Sequence, residues 1–156
     1  MQYVTKKMYG NSLRPIIELD IFQGCLAMID TGAEVPVWVQ KEEWLAALES
    51  VSYTGIRSSI GGFGGASEGN LYRITLDIGK LHYHEIPIIA CPLKNTTYHI
   101  ILPATMFDDM KYSIDNVCKE VIFEVEDDQL TRHLKLQGKN GNLHIFSQCT
   151  PQKRTA

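Results

Sequence analysis

The sequence predicts an all-β domain that contains two short helices. Its 156 residues correspond to one domain by length. Short runs of alternating apolar and polar residues end at glycine, asparagine or proline, which is typical of strands joined by turns. Residues 19–30 and 76–89 repeat one order of strand, glycine turn and strand, which indicates a partly duplicated all-β domain.

The predicted elements follow from this alternation and from local propensity. Tyr3 and Val4 suit a short edge strand. Good helix formers with apolar residues at helical spacing predict a helix over Lys41–Ser50, and a proline at the first position predicts another over Pro103–Tyr112. The other strands are expected at Leu13–Phe22, Cys25–Asp30, Ala33–Val39, Leu71–Ile78, Leu81–Ile89, Thr97–Leu102, Val117–Val125, Leu130–Leu136 and Leu143–Phe146.

Composition excludes several classes of function. The net charge of −3 and pI near 5.9 give no basic surface for nucleic acid. No apolar run approaches the length of a membrane span, and no apolar stretch follows the N-terminal lysines, so we expect no signal peptide and a cytoplasmic location. The four cysteines are far apart, which favours free thiols. We expect no metal and no cofactor, because Cys and His lack ligand spacing apart from His82 and His84.

The stretch from Leu26 to Ala33 carries the clearest chemical signal. Four apolar residues lead into Asp30, Thr31 and Gly32, so a buried strand is expected to deliver one carboxylate to a tight turn. A carboxylate at such a position is a candidate catalytic group, although the same three residues often form only a turn. We therefore interpret Asp30 as the candidate catalytic residue.

A second unusual stretch lies between residues 55 and 69, which include six glycines. So many glycines do not suit a rigid core element. Ile60 and Phe63 lie within it, which argues against a plain flexible linker. No Lys-Ser/Thr pair follows the glycines, so a phosphate-binding loop is disfavoured. A movable lid is the favoured interpretation.

Three blocks resemble the retropepsins, the aspartic proteases of retroviral type. Residues 14–21 are similar to the family's entry strand. Met28-Ile29-Asp30-Thr31-Gly32-Ala33 is similar to its catalytic motif, and Ile60-Gly61-Gly62-Phe63-Gly64-Gly65 to its flap tip. Residues 100–107 lie where the family has an apolar pair, a glycine and a helix. The resemblance covers about residues 13–115. It implies one lobe of an acid-protease barrel with a flap hairpin.

The resemblance also implies a function and a partner. The chain has one Asp-Thr-Gly motif, whereas peptide hydrolysis by this chemistry needs two carboxylates that share a proton. The second acid would come from another copy, which makes the expected enzyme a homodimeric aspartic endopeptidase with a polypeptide substrate. Thr31, Gly32 and Ala33 would support the site and the dimer. The flap residues Ile60, Gly61, Gly62, Phe63, Gly64 and Gly65 would cover the peptide.

Two departures from the family leave an alternative open. Many retropepsins have Gly-Arg-Asp/Asn where this chain has Pro103-Ala104-Thr105, so an ion pair involving the position of Glu34 is missing from the pattern. The chain also continues as a β extension over 116–146 and a tail over 147–156, after an N-terminal segment at 1–12. A non-catalytic retropepsin-like binding or dimerisation module is the alternative, and an unrelated peptide-binding β domain is a weaker one.

Overall fold

A computed structural model of the chain describes residues 1–10, 14–30, 32–60, 67–139 and 142–149. Strands dominate these ranges, which confirms the all-β prediction. None of the helices in the described ranges is long and apolar enough to cross a membrane. The elements are β1 (Gln2–Lys7), β2 (Ile16–Leu19), β3 (Cys25–Asp30), β4 (Val37–Trp38), α1 (Glu42–Ala46), β5 (Val51–Ile60), β6 (Ser67–Ile78), β7 (Leu81–Ala90), β8 (Ile100–Pro103), a 3-10 turn (Ala104–Phe107), β9 (Lys111–Asp115), β10 (Glu120–Val125), a second 3-10 turn (Asp127–Gln129), β11 (Thr131–Lys139) and β12 (Asn142–Cys149).

The smaller sheet has three antiparallel strands in the order β1-β10-β9. Its register places Gln2 opposite Val125 and Lys7 opposite Glu120. Alternate residues of β10 are buried, because one face of this sheet covers the core. The predicted N-terminal segment and the predicted C-terminal extension therefore meet in one sheet.

The larger sheet has nine strands, seven of them in the order β12-β11-β7-β4-β8-β3-β2, with β5 and β6 branching from β7. The hairpin turns use glycines at positive φ, Gly24 at +83° and Gly79 at +56°, where a side chain would be strained. Among the described strands the sheet does not close, so the predicted barrel is not formed. β2 is the last strand at one end of this order. Its free side forms one isolated bridge, between Ile17 and Met8, and no further strand of this sheet pairs there among the described residues.

An aromatic cluster joins the two sheets. The ring of Phe107 lies 4.9 Å from that of Phe123 and 5.5 Å from that of Tyr112, both in the small sheet. On its other side it meets Tyr83 of β7 edge to face at 6.4 Å. The Tyr83 hydroxyl donates to the Met106 carbonyl oxygen at 3.0 Å. The first 3-10 turn is thus fixed between the sheets.

A buried ion pair attaches the C-terminal hairpin to this junction. Arg132 of β11 is fully buried and pairs with Asp109, which follows the first 3-10 turn. Its guanidinium also donates to the Gln129 carbonyl oxygen at 3.0 Å and lies 5.6 Å from the centre of the Tyr83 ring. β11 pairs with β7 in parallel through only two residue pairs, so these side-chain contacts reinforce a short backbone ladder.

Both predicted helices are shorter in the structure. The first spans Glu42–Ala46, with Leu45 buried and Trp44 half exposed. The prediction of a helix over Pro103–Tyr112 is wrong: a 3-10 turn ends at Phe107 and β9 begins at Lys111. Burial of the Met106 and Phe107 side chains, together with pairing to β10, outweighs local helix propensity there.

The chain ends also differ from the predicted boundaries. β12 continues to Cys149, three residues into the predicted tail over 147–156, of which residues 150–156 lie outside the described ranges.

β5 is a strand that local pattern does not predict, because its sequence is polar and contains a glycine. β10 begins at Glu120, after a turn in which Lys119 has a φ of +56°.

Candidate active site

Asp30 is the last residue of β3, a strand of the large sheet. The five preceding residues of β3 are buried, and Asp30 is partly exposed. β3 pairs in parallel with β8, and this register places Asp30 opposite Pro103. Because β3 and β8 run parallel, their terminal residues Asp30 and Pro103 lie side by side. The predicted delivery of an acid by a buried strand is confirmed.

The turn after β3 holds the Asp30 carboxylate. The Gly32 N–H donates to Asp30 Oδ1 at 2.8 Å. A Cβ atom added at Gly32 would lie 3.3 Å from the same oxygen, which is tighter than ordinary contact. The Ala33 N–H donates to the Asp30 carbonyl oxygen at 3.3 Å. Glycine therefore lets the backbone close on the carboxylate and orient it.

Of the other motif residues, Ala33 is described by the structure and Thr31 is not. Ala33 is buried beside the turn, at 7% exposure, so it acts through packing rather than as an open contact surface. Thr31, which the sequence assigns to support of the dimer, lies outside the described residues. The structure thus brings together Asp30, Gly32 and Ala33.

The segment after β8 lies beside this turn. The Thr105 hydroxyl donates to the Glu34 carbonyl oxygen at 3.4 Å, a long hydrogen bond. Pro103, opposite Asp30, is itself buried. The segment Pro103–Thr105 therefore lies beside the Asp30 turn and contacts it through the Glu34 backbone.

Arg14 is a cation near the site that the sequence motifs do not single out. Its Nη1 lies 3.7 Å from the sulfur of Met28, two residues before Asp30. The Ile29 N–H donates to the Pro15 carbonyl oxygen at 3.0 Å, which ties the segment leading into β2 to the end of β3. The sequence gives only an indirect indication of this position: Arg14 is the first residue of the block that resembles the entry strand of the retropepsins.

The predicted flap falls on a β-hairpin. β5 and β6 pair in antiparallel fashion out to Ile60 opposite Ser67. β7 pairs with β6 only from Leu71 onward, so among the described residues the outer part of the hairpin is a two-stranded arm. The Gly61, Gly62, Phe63, Gly64 and Gly65 positions of the predicted tip lie outside the described residues, as does the side chain of Ile60.

Described side chains of the arm form an exposed ion pair and a hydrogen bond to α1, in which the Asn70 amide donates to Glu42 Oε2 at 2.8 Å. Arg57 and Glu68 form an exposed ion pair at 3.6 Å, which contributes little to stability in water. At its base the Thr54 hydroxyl donates to the Leu71 carbonyl oxygen at 2.7 Å. Gly69 is buried against Ala90 at the end of β7. The arm is therefore anchored at its base.

The buried Cys25 thiol is a poor alternative to Asp30 as a reactive group. Burial raises the pKa of the Cys25 thiol to about 12, so it is protonated at neutral pH and is a poor nucleophile. No three His, Cys, Asp or Glu side chains of the described residues are grouped to hold a metal ion.

A surface groove of about 420 Å³ is lined by residues of three segments, Asp20–Ile21, Ala47–Ser50 and Thr75–Asp77. Asp30 is not among them. The groove is therefore a separate feature from the turn that holds the candidate catalytic carboxylate.

Comparison with known proteins adds no family to this description. No protein-family model matches the chain, and no curated protein matches its sequence.

Proposed function

We propose that the chain is a retropepsin-like aspartic endopeptidase that acts as a homodimer. The single observation that carries the proposal is the turn at Asp30, whose carboxylate accepts the Gly32 N–H at the exposed end of a buried strand. An acid held this way is oriented by the backbone and remains accessible. The sequence Asp-Thr-Gly at this point, with a glycine-rich hairpin further along the chain, supports the same function.

The chemistry requires a second carboxylate. An ionised acid takes a proton from water as that water attacks the peptide carbonyl carbon, and a protonated acid donates to the carbonyl oxygen. Two carboxylates in contact share one proton because both cannot easily be charged, which is how the paired acids of aspartic proteases behave. One chain supplies one such motif, so Asp30 of a second copy supplies the other acid.

The β5–β6 hairpin supplies the lid in this proposal. A two-stranded arm has outward backbone groups that can hydrogen-bond an extended peptide, and its closure removes water from the reaction. β7 pairs with the base of the arm, and the proposed closing movement is that of the outer residues beyond this pairing. This arrangement fits a polypeptide substrate bound as a strand.

The test compares Asp30→Asn with the wild-type protein on a peptide library between pH 4 and 7. Loss of cleavage by at least about 10³-fold is expected, since the substitution removes the general base. Asp20→Asn is the matched control, because Asp20 is an exposed aspartate that follows β2. Unchanged cleavage by Asp30→Asn would refute the proposal.

A non-catalytic binding or dimerisation module is the second candidate. It is favoured by Pro103–Thr105, which takes the place of the family's charged pattern next to Asp30. Such a module would cleave no peptide, and the Asp30→Asn variant would bind peptides as well as the wild type does. Sedimentation separates the candidates further, because a strict monomer at micromolar concentration cannot assemble a two-acid site.

A further inference from the structure

The outer edge of β9 is an unpaired strand edge among the described residues. β9 pairs with β10 on one side, and no described strand pairs with its other side. An open edge presents N–H and C=O groups that can pair with another chain. The other edge of this sheet is β1, which ends in Lys6 and Lys7, a composition that discourages pairing between copies.

The sequence of β9 is complementary to itself when it is read in reverse. In an antiparallel pair of two β9 strands centred on Ser113, Lys111 lies opposite Asp115 of the second copy. The same register places Tyr112 opposite Ile114. Shifting the centre to Tyr112 or Ile114 loses both charge pairs, so the charges select one register.

Burial supports a partner at the same edge. Tyr112 belongs to the core-facing side of the small sheet, since its ring lies 5.5 Å from Phe107 and 6.1 Å from Phe123. Ile114 shares that side by alternation, yet it is 39% exposed. A second β9 would cover Ile114 with Tyr112 and continue the aromatic cluster across the contact.

The Asp115 carboxylate has a fixed position. Its Oδ1 accepts the N–H groups of Val117 and Cys118, each at 2.9 Å, in the turn between β9 and β10. The charge is therefore held at the end of the strand before any partner arrives, which reduces the entropy lost on pairing.

We propose that two copies of this chain pair through their β9 edges about a two-fold axis at Ser113, forming a six-stranded sheet β1-β10-β9-β9-β10-β1. The contact is isologous and closed, because each Lys111 meets the Asp115 of its partner subunit. A five-residue strand contact is small, so the dimer dissociates on dilution. The argument for this interface uses only β9. The further step, that this dimer is the catalytic one, rests on the proposed function.

The first test is a disulfide at the axis. Opposed residues of antiparallel strands have Cα atoms about 4.5–5.5 Å apart, within disulfide range, so Ser113→Cys should link two copies under mild oxidation. Both new cysteines are introduced into the Cys118→Ser variant, because the exposed Cys118 thiol could otherwise form disulfides of its own. Thr5→Cys, an exposed position on β1, is the control and should link at least about tenfold more slowly. Equal rates for the two cysteines would overturn the proposal.

The second test reverses one charge. Lys111→Glu would place like charges opposite each other twice in the dimer, so we expect about tenfold weaker dimerisation by sedimentation and slower Ser113→Cys linkage. Lys7→Glu is matched to it, because both lysines lie on edge strands opposite a glutamate of β10. Equal effects of the two substitutions, or none from Lys111→Glu, would overturn the interface.

The outcome is separable from that of the proposed function. If Ser113→Cys links selectively and the linked dimer cleaves no peptide, the β9 interface stands and the protease proposal fails. If Asp30→Asn abolishes cleavage and Ser113→Cys does not link, the protease stands and its dimer uses another surface.

Discussion

Substituting Gly69 with alanine tests how the hairpin is seated on β7. Gly69 lies in β6, two residues before Leu71, which is opposite Ile89. A Cβ atom at Gly69 would overlap the Ala90 carbonyl oxygen and would lie 2.8 Å from Ile89 Cγ2. Ordinary contact begins at 3.4 Å, so the Ile89 methyl group must move by about 0.6 Å and the Ala90 backbone by more.

The expected cost combines two opposing effects. Overpacking of this kind costs about 1–3 kcal/mol, and replacing glycine lowers the entropy of the unfolded chain by an amount that offsets about 0.4–1 kcal/mol. The net loss of about 1–2 kcal/mol corresponds to a melting temperature lower by about 2–8 °C for a chain of this length.

Thermal unfolding followed by calorimetry measures this change. Glu68→Ala is the control, because Glu68 is the neighbouring residue and makes only an exposed ion pair. Its melting temperature should stay close to that of the wild type. Gly69→Ala melting at or above the wild-type temperature would show that β7 does not seat the hairpin as described.

Three further substitutions test the core, the C-terminal attachment and the pH response. Phe107→Ala should cost about 3–5 kcal/mol of unfolding free energy in urea, because it removes the ring shared by both sheets. Arg132→Met should cost about 2–4 kcal/mol by removing the buried cation that pairs with the Asp109 carboxylate. Burial lowers the pKa of His99 from 6.5, so the unfolded chain binds the proton more readily; stability is therefore full above pH 6.5 and falls as the pH drops below it. His99→Asn, which keeps an acceptor for the Leu26 N–H, should flatten that fall.

Matched variants sharpen these three tests. Phe107→Leu should lose less than Phe107→Ala, and adding Asp109→Leu to Arg132→Met should recover part of the loss. His84→Asn is the control for the pH response, since His84 is half exposed and forms no part of the core. If the double variant recovers no unfolding free energy, the argument for the buried ion pair is contradicted. If stability depends on pH in the same way in the His99→Asn and His84→Asn variants, the argument for His99 is contradicted.

Local sequence predicts the elements whose signals are local. β3 ends at Asp30 as predicted, because a run of apolar residues leads to a polar turn. The turns at Gly24 and Gly79 are predictable because only glycine tolerates their φ values cheaply. The acid and its turn can therefore be anticipated from the sequence.

The long-range arrangement cannot be predicted from local pattern. Lys111 and Tyr112, which open β9, fall in the helix predicted from the proline at position 103. Their pairing with β10 makes them part of a strand instead. The bond from the Gly32 N–H to Asp30 follows from backbone geometry and has no pattern of its own. Arg132, buried against Asp109, has the sequence context of an exposed residue in an alternating strand.

The pairing of β1 with β10 also orders events during synthesis. β1 leaves the ribosome before β10, the partner strand, which ends at Val125. At about 5–20 residues per second, β1 waits roughly 6–25 s before that partner is complete. Meanwhile Tyr3 and Val4 have no sheet to join, and closing so long a loop slows folding. A nascent chain stalled before residue 120 should therefore leave β1 open to proteases, while the earlier β2–β3 hairpin is already protected.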